Sequence, residues 1–111
     1  MHAGRLDRRV TIEEPQETGK TDSGQPIIQW LPVRTVWARK EPLRGIEPFL
    51  SDQVAAKIDT KWTIRWFAGI TTEQRIKDTG DDDRLYDITE VIEIGRREGA
   101  QILARARAEV V

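Results

Sequence analysis

The sequence has no cysteine, so neither a disulfide framework nor a thiolate metal site is open to it. Asparagine is absent as well, which removes every N-linked glycosylation acceptor. The single histidine, His2, lies beside the first residue. A catalytic base needs an orienting partner and a protected position, and a terminal arm supplies neither. No serine or threonine sits in a nucleophile motif. The 8 glycines stand singly, so no loop is built to cradle phosphates. No apolar run reaches the length of a membrane span, and Met1 to Arg9 lacks the apolar centre of a signal peptide. Nor is there an excess of one charge: 18 basic side chains face 19 acidic ones. A dedicated nucleic-acid binder carries a basic surplus, so this balance disfavours that class. The expectation is a chain without enzymatic activity or cofactor, in a bacterial cytoplasm or a particle assembled there.

What is present is a chain of 111 residues, the length of one domain, a third of it charged and well mixed along the sequence. Its 4 tryptophans are many for a small domain that cannot bury them all. At least one is expected at a subunit interface, where tryptophan is enriched.

The most apolar early stretch runs from Ile27 to Glu47 and reads as a long strand that breaks into a loop, since Trp30, Val33, Val36 and Trp37 favour strand over helix. Pro32 within it implies an edge position or a bulge. Before it, Arg9 to Glu13 alternates as a half-buried strand ended by Pro15, and the polar Glu14 to Gln25 reads as a turn or flexible hairpin loop. After it, Ile46, Phe49, Leu50, Val54 and Ile58 recur with helical spacing, with Ser51 as a possible cap or Pro48 in a first turn. That segment is either a docked short helix or a mobile loop with helical tendency. Thr60 to Phe67 is a strand with Trp62, Ile64 and Trp66 on one face. Arg75 to Lys77 is extended, and Arg84 to Ile94 is a strand whose face switches near Glu90, as a bulge would cause. Ala100 to Val111 has alanines that favour helix and an alternation that favours strand; the small inward residues Ala104 and Ala106 suit a narrow barrel, and strand is preferred. The expected fold is all-β, mainly antiparallel: a small single-domain barrel or sandwich over residues 1–111, with one long insertion at 41–59.

Two charged groupings need weighing. Asp78, Asp81, Asp82 and Asp83 could hold a hard cation, but their spacing matches no known loop, and a solvated hairpin turn is the simpler reading. Arg96, Arg97, Arg105 and Arg107, with Arg5, Arg8 and Arg9, could serve a small barrel that binds single-stranded nucleic acid. Glu93, Glu98 and Glu109 interleave with them, which weakens a phosphate-tracking stripe. This remains the alternative function.

Four blocks, GRLDRRVTIEEP, TDSGQPIIQW, VWARKEPLRGIEPF and TIRWFAGITTEQRI, lie in order between residues 4 and 92. With these the chain resembles the head-tail joining family of tailed bacteriophages, the small head-closure or stopper proteins of the neck. The resemblance implies a compact β-barrel with a helix-bearing loop between its second and third strands. It also implies a homo-oligomeric ring, about 6 or 12 copies, closed by head-to-tail contacts. Such a ring meets an adaptor protein beneath the portal on one side and tail proteins on the other. Packaged double-stranded DNA passes through its channel without sequence-specific binding. On that footing Arg44, Glu47, Phe49, Leu50, Asp52, Val54 and Lys57 form the candidate channel loop. Trp30, Trp37 and Arg39 are the candidate subunit or adaptor interface. Trp37 is outside if Val36 and Ala38 are core; a bulge at Pro32 that turned both faces inward would bury it.

Overall fold

The computed structural model describes residues 6–43 and 58–107. Six strands appear in chain order: β1 (Arg8–Lys20), β2 (Pro26–Pro42), β3 (Thr60–Arg65), β4 (Arg75–Asp78), β5 (Arg84–Ile94) and β6 (Gly99–Ala106), with no helix among the described residues. They close into one barrel in the order β1-β2-β3-β6-β5-β4, every neighbouring pair antiparallel. The all-β reading therefore holds, as does strand for the alanine-bearing final segment. The channel-loop candidates Arg44, Glu47, Phe49, Leu50, Asp52, Val54 and Lys57, and with them the expected short helix, lie outside the described residues. So do His2, Arg5 and Glu109.

Alternation produces the core. Val10 and Ile12 from β1, Ala38 from β2, Trp62 and Ile64 from β3, Ile76 from β4, Tyr86 and Ile88 from β5, and Ala100, Ile102 and Ala104 from β6 all point inward. Six strands leave a narrow interior, and a full-sized indole fits only because small residues stand near it. In the β3–β6 register Thr60 meets Ala104, Trp62 meets Ile102 and Ile64 meets Ala100. Trp62 also packs edge-on against Tyr86, with ring centroids 5.1 Å apart and planes at 77°. The alternation in β5 breaks between Ile88 and Glu90, where the register against β6 slips and leaves Thr89 as the extra residue.

Three local expectations need correction. β1 does not stop at Pro15, and Glu14 to Gln25 is not one loop. The strand continues to Lys20, and only the segment from Thr21 to Gln25 turns. The turn is tied by Thr21 N–H to the Gln25 carbonyl at 2.8 Å and Gly24 N–H to the Thr21 carbonyl at 2.9 Å, with Gly24 at φ +85°. Backbone pairing with β2 overrides the polar composition here. β3 ends at Arg65 rather than Phe67; Trp66 packs partly buried against the core and Phe67 is buried beyond the strand, just before Gly69 at φ +98°. Finally, Asp78 is not part of a solvated acidic turn. It is fully buried, receives a hydrogen bond from the Arg8 guanidinium at 3.4 Å and another from Gly80 N–H at 3.2 Å. Asp82 and Asp83 do form the exposed turn, both at positive φ (51° and 55°).

The β1–β2 pairing is longer than the barrel. β1 pairs with β4 only over Val10–Glu13, and β2 pairs with β3 only over Ala38–Pro42. From Glu14 to Lys20 and from Pro26 to Leu31 the two strands pair only with each other, as a ribbon leaving the barrel. At its base the register slips between Ile12–Arg34 and Glu13–Pro32, so Val33 is the extra residue. This is the bulge that Pro32 signals. It increases twist and turns the ribbon away from the barrel wall.

Candidate assembly interface

Trp37 stands on the outer wall. Val36 packs against the core and Ala38 is fully buried, so the residue between them faces away, 52% exposed. The bulge at Val33 lies before this stretch and does not invert it. Arg9, directly across the β1–β2 ladder, lays its guanidinium over the indole at 5.0 Å. On the other side Arg65 is one position beyond the Ala38–Ile64 pair, opposite Trp37. Arg39 is exposed on the same face; it and Lys61 converge on Glu41 at 3.3 and 3.4 Å. Beside the exposed indole the wall thus carries Arg9, Arg39 and Arg65, and farther along the same face Lys61 stands across from Glu41.

Trp30 is placed differently. It lies at the base of the ribbon, half-buried, under two guanidiniums: Arg75 at 4.2 Å and Arg107 at 5.0 Å from the ring centroid. Each arginine is held in turn, Arg75 by Glu13 at 2.8 Å and Arg107 by Asp87 at 2.7 Å. Glu13 also accepts an ion pair from Lys77 at 3.5 Å and is itself buried. The indole is therefore clamped to its own barrel wall. Of the three interface candidates, Trp37 and Arg39 share a face, and Trp30 sits beyond the bulge on the ribbon.

The arginines of the two sequence-level basic groupings are dispersed. Arg8 goes to Asp78, Arg97 to Glu93 at 3.7 Å, and Arg107 to Asp87 and Trp30. Among the described residues no group of three or more His, Asp or Glu side chains is placed to hold a metal ion. A cleft of about 270 Å³ opens at the end of the barrel where β2 and β3 meet the segment outside the described residues, with Lys40, Arg84, Asp59 and Tyr86 on its walls. Asp59 is already occupied, accepting hydrogen bonds from Thr60 Oγ1 at 2.9 Å and from Ala106 N–H at 3.2 Å.

Sequence reasoning found Trp37 because its neighbours declared the inward face. It missed the Trp30 clamp. That clamp depends on Glu13 and Arg75 being brought together from 62 positions apart, and nothing local records such a pairing. It also missed the apolar ribbon surface, although the adjacent Ile27 and Ile28 after a turn were a usable signal.

A family model described as phage head completion protein matches residues 1–107. Among solved structures, the solution structure of protein SF1141 from Shigella flexneri 2a superposes with a TM-score of 0.77. It is 26% identical and is matched over 99% of this chain and 100% of that one. A chain from the virion of a native gene transfer agent particle superposes with a TM-score of 0.64 at 20% identity, over 91% of this chain and 94% of that one, a likeness of fold. No curated protein matches the sequence.

Proposed function

We propose that this chain, which belongs to the phage head completion protein family and is thereby a structural protein of the phage head and neck, forms a ring in the neck of a tailed phage or phage-derived particle, between the portal–adaptor complex and the tail. There it closes the filled head and helps to retain packaged DNA. The role is structural rather than catalytic. The observation that carries the reading is the family match over 107 of the 111 residues. The outward Trp37 face supports it, because an exposed indole with one guanidinium laid over it is a surface suited to a protein neighbour.

In this reading the connection between β2 and β3 narrows the channel. The described residues on either side of it are held side by side, Leu43 N–H donating to the Asp59 carbonyl at 3.1 Å. A long connection within a compact barrel is a usual place for function. The charges of Arg44, Glu47, Asp52 and Lys57 are mixed in sign. A basic field would grip phosphates and stall DNA, so closure by this segment is steric.

Electron microscopy of native particles tests the location; density for this chain away from the neck sinks the reading. Replacing residues 44–57 with a short Gly/Ser bridge tests the closing role. The barrel should still fold, because β2 and β3 already meet at Leu43 and Asp59. Filled heads should then leak DNA. Heads that keep their DNA with the shortened chain assign closure to another neck protein.

A further inference from the structure

The ribbon formed by the ends of β1 and β2 exposes apolar side chains on strands that no described neighbour covers. Ile28 is 52% exposed, Ile27 44%, Leu31 39% and Val33 38%. Ile27, Gln29 and Leu31 alternate onto one face of the ribbon, and Glu14 stands across from Leu31. On the opposite face Trp30 is anchored to the barrel at the base of the ribbon, while Ile28, nearer the turn, is open, so close to the turn the ribbon offers apolar side chains on both faces. Both strands of the ribbon have unpaired edges, which would invite strand addition. Pro15 on one, and Pro26 and Pro32 on the other, lack the N–H that an added strand would need. A partner is therefore met through side chains.

We infer that this ribbon docks onto the Trp37 face of a second copy of the same chain. Charge complementarity selects that occupant. The Ile27–Leu31 face carries the carboxylate of Glu14 at its base and no cation, with Asp22 in the turn, while Glu17 and Lys20 lie on the opposite face and offset each other. The Trp37 face presents Arg9, Arg39, Lys61 and Arg65 against Glu41. Apolar side chains meet an exposed indole at the centre, and opposite charges meet at the rim. A chain cannot make this contact with itself. Leu31 and Trp37 lie on one strand, separated by about 20 Å at 3.3 Å per residue. Donor and acceptor surfaces at two places on one strand make a head-to-tail contact, which closes into a ring when the rotation between copies permits. The inference rests on the ring proposed above and supplies its subunit contact.

The absence of cysteine makes the test direct. Gln29→Cys lies on the ribbon between Ile27 and Leu31, and Arg39→Cys lies beside Trp37. Both sites are exposed, and unchanged thermal melting verifies that the variants fold. Native particles carrying the double variant are treated with a short bismaleimide. The expected product is a ladder of covalent multimers of this chain. A mixture of the two single variants should give a dimer and nothing larger. Adding Trp37→Ala to the double variant should abolish the ladder. Dimers from Gln29→Cys alone would mean that ribbon meets ribbon, and coupling of Gln29→Cys to a different polypeptide would mean that the ribbon faces another virion protein; either overturns the inference. A missing ladder, or one indifferent to Trp37→Ala, also overturns it. Repeating the reaction on concentrated purified protein separates the two proposals. If particles lack the chain, the neck role fails, while the ladder from purified protein still decides the contact.

Discussion

Truncating the two tryptophans Trp62 and Trp37 should separate folding from assembly. Trp62 is fully buried in the centre of the barrel, edge-on to Tyr86 and across from Ile102. Trp62→Ala leaves a void the size of an indole lined by strands on every side, which cannot collapse inward without breaking ladder hydrogen bonds. The expected loss is about 3–5 kcal/mol. At about 2.1 cal/mol/K of unfolding entropy per residue, a domain of this size loses about 4 °C per kcal/mol, so its melting temperature should fall by about 12–20 °C. Trp37→Ala removes a half-exposed ring and one stacked guanidinium, worth about 0.5–1 kcal/mol, or about 2–4 °C. One structural detail gives a finer test. The Trp62 Nε1 donor is buried and has no hydrogen-bond partner among the described residues, and a buried N–H without a partner contributes no stability that its removal would forfeit. Trp62→Phe keeps most of the volume and removes that donor, and should cost about 1 kcal/mol or less. Differential scanning calorimetry on the purified variants reads all three. Equal losses for Trp37→Ala and Trp62→Ala would refute the outward placement of Trp37. A Trp62→Phe loss matching that of Trp62→Ala would refute the account of the unsatisfied donor.

Glu13→Gln keeps the shape of the side chain but withdraws the charge that holds Arg75 and Lys77. It should lower stability by about 1.5–3 kcal/mol, seen as a drop in urea midpoint with an unchanged slope. Gly95 links β5 to β6 at φ +62°, and an added Cβ would sit 3.1 Å from the Glu98 side chain. Gly95→Ala should therefore cost about 1–2 kcal/mol. Gly80→Ala, where the nearest atom is 3.7 Å away and φ is not positive, should stay within about 0.5 kcal/mol of the parent, and equal losses at both sites would remove backbone strain as the cause.

The barrel strands were readable because a six-strand barrel imposes period two on each of them. Trp62 and Ile64, Tyr86 and Ile88, and Ile102 and Ala104 each show it within a few residues. Two of the three register slips were readable for the same reason, since Pro32 and the adjacent Val91 and Ile92 break the period close to them, whereas the slip at Thr18 lies in a polar stretch with no period to break. What escaped is non-local. Glu14 to Lys20 is strand because β2 lies alongside it, and a polar composition says nothing about that. Asp78 looked like one of four turn carboxylates. It is buried because Arg8, 70 positions away, comes to its side. The ion pairs that fix Trp30 likewise join β1 to β4 and β5 to β6, and only the closed strand order brings them together.

Those ion pairs explain how a ribbon of two strands can hold one direction. An isolated hairpin is marginal in water, and a freely swinging one would lose much of its docking energy to ordering. Here β1 leaves the barrel immediately after Glu13, the last residue paired with β4. At that point Glu13 is gripped by Arg75 and Lys77, and Arg75 also covers Trp30 on the neighbouring strand. Arg107, steadied by Asp87, covers the same ring from β5 and β6. The base of the ribbon is thus tied to both sides of the barrel seam, while Ile27 and Ile28, next to the turn, are carried outward. The entropy of aiming the ribbon is lost on folding, before any partner arrives. A clamp of this kind has a measurable signature. Trp30→Ala should leave the barrel core intact, raise amide exchange selectively in 14–33, and weaken ring assembly as strongly as removal of Trp37. Uniform exchange across the ribbon and barrel in the variant would show that the ribbon stands without the clamp.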